Sequence, residues 1–224
     1  MEFLPNEIEN IIKDYVIFKP ITKDELQNAV DLWCYNRDDG LNRYGHISNW
    51  DTSLITDMNC LFLEKKHFND NINNWNVSSV TNMCMMFERA LSFNQPLDSW
   101  DVSSVTDMYC MFHMAEAFNQ PLDSWKVISV TTMDGMFCGA SSFNQPLNSW
   151  IVSSVTNMTS MFCYATSFNQ SLNSWNVSSV TTMNEMFNKA SSFNQSLNSW
   201  DVSSVIDMRY MFNKASSFNQ SLNS

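Results

Sequence analysis

Tryptophan recurs at Trp50, Trp75, Trp100, Trp125, Trp150, Trp175 and Trp200, a spacing of 25 residues held without a slip. A strict period in this range predicts a solenoid, because one such unit cannot bury its apolar face alone and stacks on its copies instead. The phase of the other large side chains agrees. Fourteen of the sixteen Phe fall in two columns, one from Phe62 to Phe212 and one from Phe68 to Phe218. Val102, Val105, Met108, Met111, Ala115 and Leu122 of the unit that begins at Trp100 head further columns, so nearly every apolar position belongs to a core ladder.

Within that unit Met108, Met111, Phe112 and Ala115 stand at i, i+3, i+4 and i+7, which predicts a helix about two turns long. Upstream, Val102-Ser-Ser-Val105-Thr-Asp has two β-branched anchors and reads as a short strand pairing in parallel with its copies. The return segment holds Pro96, Pro121 and Pro146 in three units and Ser171, Ser196 and Ser221 in later ones, as a loop requires. The expected fold is therefore an α/β repeat solenoid of seven coils over residues 50–224, each a short parallel strand plus a short helix. An Asn column from Asn69 to Asn219 follows the second Phe column. Stacked side-chain amides there would satisfy loop backbone groups that the coil leaves unpaired.

Ahead of the repeats, residues 18–49 read as a capping helix and lead-in. Residues 22–33 carry a capping box in which Thr22 caps, Glu25 reaches back and Ile21 can staple onto Leu26. Leu26, Ala29, Val30 and Trp33 form its apolar stripe. Residues 1–17 read as a second amphipathic helix, with Pro5 near its first turn and Leu4, Ile8, Ile11, Ile12 and Tyr15 as a cap or docking face. No irregular unit closes the array at Ser224, which predicts further repeats or a partner over that end.

Formal net charge is −11, shared as −4 over residues 1–49 and −7 over the repeats, so nucleic acid and anionic membrane are not expected partners. No apolar run approaches the roughly 20 residues that span a bilayer, and the acidic start Met1-Glu2-Phe3-Leu4 is unlike a signal peptide. These features predict an intracellular, cytoplasmic chain.

Catalysis, a cofactor and a metal are not expected. The three His (His46, His67, His113) fall at different phases, the four Gly form no phosphate loop, and periodic Ser pairs are structural. The six Cys form no disulfide framework by spacing. Cys60 and Cys110 share a phase two units apart, too far to bridge. Cys138 and Cys163 share one in adjacent units, within bridging reach if coils stack at about 5 Å, and free thiols filling small slots remain the plainer reading.

Comparison of the units with one another separates constant from variable columns. Four columns, beginning at Asn59, Cys60, Leu63 and Glu64, change freely and fall on the outer side of the expected helix. A protein partner needs such varied chemistry, which selects Asn59, Tyr109, His113, Thr159, Tyr164, Glu185, Arg209 and Tyr210 as partner-binding candidates. The regular column from Thr56 to Thr181 suggests a different class, binding of a repetitive surface, but its neighbours mix charge with amide and Ile206 breaks it.

The unit Trp-Asp-Val-Ser-Ser-Val-Thr-Asp-Met-x-x-Met-Phe-x-x-Ala-x-x-Phe-Asn-Gln, as at 100–120, resembles the BspA-like repeat, also called the DUF285 or mycoplasma lipoprotein-associated repeat. The resemblance covers residues 50–224 and implies a leucine-rich-repeat-like solenoid that works in adhesion or protein binding. It supports a non-catalytic protein-interaction scaffold, with a surface adhesin as an alternative if an export signal lies upstream. Separately, Leu4-Pro5-x-Glu7-Ile8 with Ile11 and Ile12 is similar to the first helix of an F-box. That similarity implies docking to the adaptor of a ubiquitin ligase.

Overall fold

The computed structural model describes residues 17–222. Two helices open it, α1 at Lys23–Tyr35 and α2 at Arg37–Tyr44, followed by a single 3-10 turn at Ile47–Asn49. Thr22 caps α1 by accepting from the amide of Glu25, and Glu25 in turn accepts from the amide of Ile21. The capping box forms as expected, whereas Ile21 stays largely exposed and closes no tight staple. Leu26, Ala29, Val30 and Trp33 are buried against the first repeat.

The seven repeats stack face to face, but not as coils of strand plus helix. That expectation is corrected: among the described residues of the repeats there is no helix and no strand longer than one bridging residue. The chain instead advances by tight turns in which an amide donates three residues back. In the third repeat these run Val105 to Val102, Met111 to Met108, His113 to Cys110, Ala115 to Phe112, Phe118 to Ala115 and Trp125 to Leu122. A turn of this kind brings its first and fourth residues together and leaves its corners in solvent. Apolar residues three apart therefore line the inside, with small polar residues such as Ser103 and Ser104 at the corners.

Two features replace the expected helix at 58–65 and its copies. Left-handed backbone recurs twice in each repeat, at Cys110 and Met114 with φ of 51° and 56° in the third, which an α-helix cannot contain. Alternate amides then leave the local chain and donate forward: Met108, Cys110, Phe112 and Met114 to the carbonyls of Thr132, Asp134, Met136 and Cys138, at 2.7–3.4 Å. The burial pattern i, i+3, i+4, i+7 survives because a run of turns is also compact and also returns every third or fourth side chain to one side. Only the hydrogen-bond partners distinguish the two, and here they belong to the next repeat.

The expected strand shrinks for a related reason. Val102 and Val105 both point inward and lie three apart, a spacing that suits a turn, since a strand alternates every two. What remains of the sheet is one parallel bridge per interface, Asp57 to Asn82, Asn82 to Asp107 and onward to Asp207. Thr106 also donates its amide back to Thr81, and this contact too recurs along the stack.

The inside is a set of aromatic columns. Successive rings from Phe62 to Phe212 lie 5.3–5.7 Å apart. Those from Phe68 to Phe218 lie 5.7–6.0 Å apart, and the two columns meet at 4.0–4.2 Å within each repeat. Each repeat Trp is buried, and from Trp75 onward each donates its indole N–H to a carbonyl of the Ile/Leu column one step back, as Trp125 does to Leu97 at 2.9 Å, while Trp50 donates to Gly45. Stacked aromatic pairs add about 0.5–1.5 kcal/mol beyond the area they bury, so every interface gains from both Phe columns, and those at Trp50–Trp75 and from Trp100 to Trp175 gain from stacked Trp as well. The Asn ladder works as its spacing predicts. Asn94 Oδ1 accepts from the Asn119 amide at 2.9 Å and from Gln120 Nε2 at 3.0 Å.

Helix α1 supplies what a preceding repeat would. The carbonyl of Leu61 occupies the column in which Met86 accepts from Phe62, and Gln27 Nε2 donates to it at 3.1 Å. Asp70 replaces the Gln of later repeats and accepts from Trp33 Nε1 and from both terminal nitrogens of Arg37.

Candidate functional site

The four columns beginning at Asn59, Cys60, Leu63 and Glu64 trace one outer ribbon along the stack, formed by the left-handed turns rather than by a helix flank. Residues 58, 61 and 62 and their copies through the sixth repeat are buried in the core, and 59, 60, 63 and 64 and their copies form the outer side. Of the partner-binding candidates, Tyr164, Arg209 and Tyr210 are exposed and Asn59, Tyr109, His113, Thr159 and Glu185 are half-buried. All eight share this ribbon but not one spot. Asn59 and Tyr210 are six repeats apart, about 30 Å at a step of ~5 Å.

The column at 57 positions the ribbon, a role the residue pattern alone did not assign. Asp57, Asp107 and Asp207 each accept the amide two residues on, those of Asn59, Tyr109 and Arg209, at 2.8–3.0 Å. Asn82 and Asn157 do the same for Cys84 and Thr159. These are Asx turns, which explains why short side chains with an acceptor fill the column. The same residues carry the parallel bridges, so one column both joins neighbouring repeats and orients the variable residue beside it.

Several candidates are already engaged by neighbours. His113 Nδ1 lies 3.0 Å from Glu88 Oε1, and Glu185 Oε2 accepts from Asn188 at 2.9 Å. Thr159 donates to Asn184 at 2.8 Å. Tyr164 receives the Lys189 ammonium both at its hydroxyl and over its ring, 4.0 Å from the centroid. Arg209 holds Asp207 in a two-pronged pair with contacts of 3.0 and 2.8 Å. The Tyr109 phenol is pushed up to about 12 by the neighbouring Cys110. Asn59 Oδ1 is buried without a hydrogen-bond partner.

Charge on the ribbon differs from the rest of the repeats. Its four columns hold Glu64, Glu88, Asp134 and Glu185 against Arg89, Lys189, Arg209 and Lys214, a formal sum of zero, while the repeats as a whole carry −7. The Thr column lies on other ground. Thr81, Thr106, Thr131, Thr156 and Thr181 donate their hydroxyls to the carbonyl of the preceding Thr, so this ladder ties repeats together.

Leu4, Pro5, Ile8, Ile11, Ile12 and Tyr15 lie outside the described residues, and the docking-helix reading rests on sequence alone. Among the described residues no group of three or more His, Cys, Asp or Glu side chains is arranged to hold a metal ion. No described helix is long and apolar enough to cross a membrane. No curated protein and no solved structure matches the chain. The family described as Mycoplasma protein of unknown function, DUF285, matches residues 34–150 and 122–224 in two overlapping stretches, and the chain belongs to that family.

Proposed function

We propose that the chain is a non-catalytic interaction scaffold whose partner-binding surface is the variable ribbon. One observation carries this reading: four columns that vary among the repeats, those beginning at Asn59, Cys60, Leu63 and Glu64, lie side by side on one outer surface, while the aromatic, aliphatic and Asn columns are occupied with the core and with repeat-to-repeat hydrogen bonds. Tyr and Arg, the residues that dominate binding energies at interfaces, are placed there at Tyr109, Tyr164, Tyr210, Arg89 and Arg209. The neutral formal sum of the ribbon also spares an acidic partner the repulsion that the acidic remainder would impose.

The test is affinity capture of partners from the native host with wild type and with two variant sets. Tyr109→Ala with Tyr164→Ala and Arg209→Glu changes the ribbon, and Ser104→Glu with Ser124→Glu changes exposed corners elsewhere. A partner lost with the first set and kept with the second supports the ribbon. A partner held through every ribbon substitution removes it.

A further inference from the structure

Two thiols meet on the ribbon at Cys138 and Cys163, which occupy the same column in adjacent repeats. Backbone pairing seats them directly against each other, with the Gly139 amide donating to the Cys163 carbonyl at 2.7 Å. Their immediate neighbours Phe137 and Phe162 stack at 5.7 Å. Residues so stacked are about 5 Å apart along the pairing direction, inside the roughly 4.4–6.8 Å between Cα atoms that a disulfide spans. The cysteines are free thiols in this structure, Cys163 buried and Cys138 half-buried. Cys60 and Cys110, the other pair that shares a column, have Met85 between them.

We propose that Cys138 and Cys163 are a disulfide-forming pair, closed by a peroxide, that covalently joins the fourth and fifth repeats. The electrostatics fit a division of roles. The hydrogen bond from the Cys138 thiol holds Cys163 below its ordinary value, with the Lys189 charge and the Asn188 side chain assisting, while burial and Glu185 oppose it. The same hydrogen bond, with burial, raises Cys138. Cys163 is accordingly the more readily deprotonated of the two thiols and Cys138 its proton-bearing partner.

The Cys163 thiolate attacks one peroxide oxygen, breaking the O–O bond, and becomes a sulfenic acid as hydroxide leaves. The Cys138 sulfur then attacks the sulfenic sulfur, and the departing hydroxyl leaves as water with the Cys138 proton. Two sulfurs are oxidised by one electron each and one peroxide is reduced by two. A small thiol reductant reverses the bond by exchange.

The probe is hydrogen peroxide added to the whole chain, followed by alkylation in denaturant and intact-mass measurement. The six cysteines give six labels before oxidation, and the expectation is four afterwards. Chymotryptic mapping should then show one linkage, Cys138 to Cys163, removed by dithiothreitol. The Cys138→Ser variant should stop at a sulfenic acid on Cys163 that dimedone traps. The proposal is overturned if all six thiols still label, if the linkage joins any other pair or two chains, or if Cys163→Ser still loses two labels. The wild-type map decides the matter even where a Ser variant fails to fold.

Discussion

The left-handed turns make one substitution pair diagnostic. Arg89 has φ of 56°, donates its amide to His113 at 2.8 Å, and leaves its side chain half exposed in a loose 3.8 Å pair with Glu64. Arg89→Ala and Arg89→Gly delete that side chain equally, so their difference isolates the backbone. In left-handed conformation a residue with a Cβ costs about 1–2 kcal/mol, whereas Gly costs about 0.5–1 kcal/mol in extra unfolded-chain entropy. The Gly variant should therefore be the more stable by about 0.5–1 kcal/mol. Were this segment the helix that its periodicity suggests, the order would reverse, with Gly the worse by about 0.8–1 kcal/mol.

For a chain of this size 1 kcal/mol moves Tm by about 2–4 °C. The Gly variant should melt roughly 1–4 °C above the Ala variant, and a helix would place it roughly 2–4 °C below. The assay is thermal unfolding followed by tryptophan fluorescence, both variants on the same probe because stacked repeats need not unfold in one step. Asn28, exposed on α1, is the internal control, where Ala should exceed Gly. An Arg89→Ala chain that melts above Arg89→Gly would refute the turn architecture of the ribbon.

Other consequences are simpler to state. Gly135→Ala should destabilise by more than the ~1–2 kcal/mol of a left-handed Ala, because its Cβ would lie 2.8 Å from Cys110 Sγ; adding Cys110→Ala should recover the excess in a double-mutant cycle. Trp125→Phe leaves the buried Leu97 carbonyl without its 2.9 Å donor and should cost about 1–3 kcal/mol in urea unfolding with no change of fold by circular dichroism. The Lys19 ammonium, aided by Ser53, holds the Asp51 carboxyl down at about 2, so its contribution is complete above the unfolded value near ~3.9 and is lost as pH falls toward 2. Asp51→Asn should thus flatten the fall of Tm between pH 5 and 2. Asp134 runs the other way: burial raises its pKa, and Asp134→Asn should gain stability above pH 5 and nothing in strong acid.

Phase and membership of the core were legible in the residues. A Trp, two Phe and their aliphatic neighbours at constant spacing require a stack, and burial follows from side-chain chemistry that does not depend on backbone detail. The capping box at Thr22 and Glu25, the Asn ladder and the shared column of Cys138 and Cys163 were equally readable, since each depends on a short local pattern or on the period itself. The path of the backbone was not. Met108, Met111, Phe112 and Ala115 face one side in a helix and in a run of turns alike, so hydrophobic spacing cannot choose between them.

The choice was made where amides find partners. Cys110 and Met114 adopt left-handed backbone because the carbonyls of Asp134 and Cys138 wait across the interface, a fact about the neighbouring repeat. Two traces of it were present in the chain. Gly135 and Gly139 fall on the two left-handed columns of the fourth repeat, and Val102, Val105, Met108 and Met111 advance in steps of three. The residues alone therefore determined which side chains the repeats bury and how often. Tertiary structure decided that the repeats are built from turns, because a hydrogen bond to the next repeat competes with one inside the same segment and only the assembled stack supplies it.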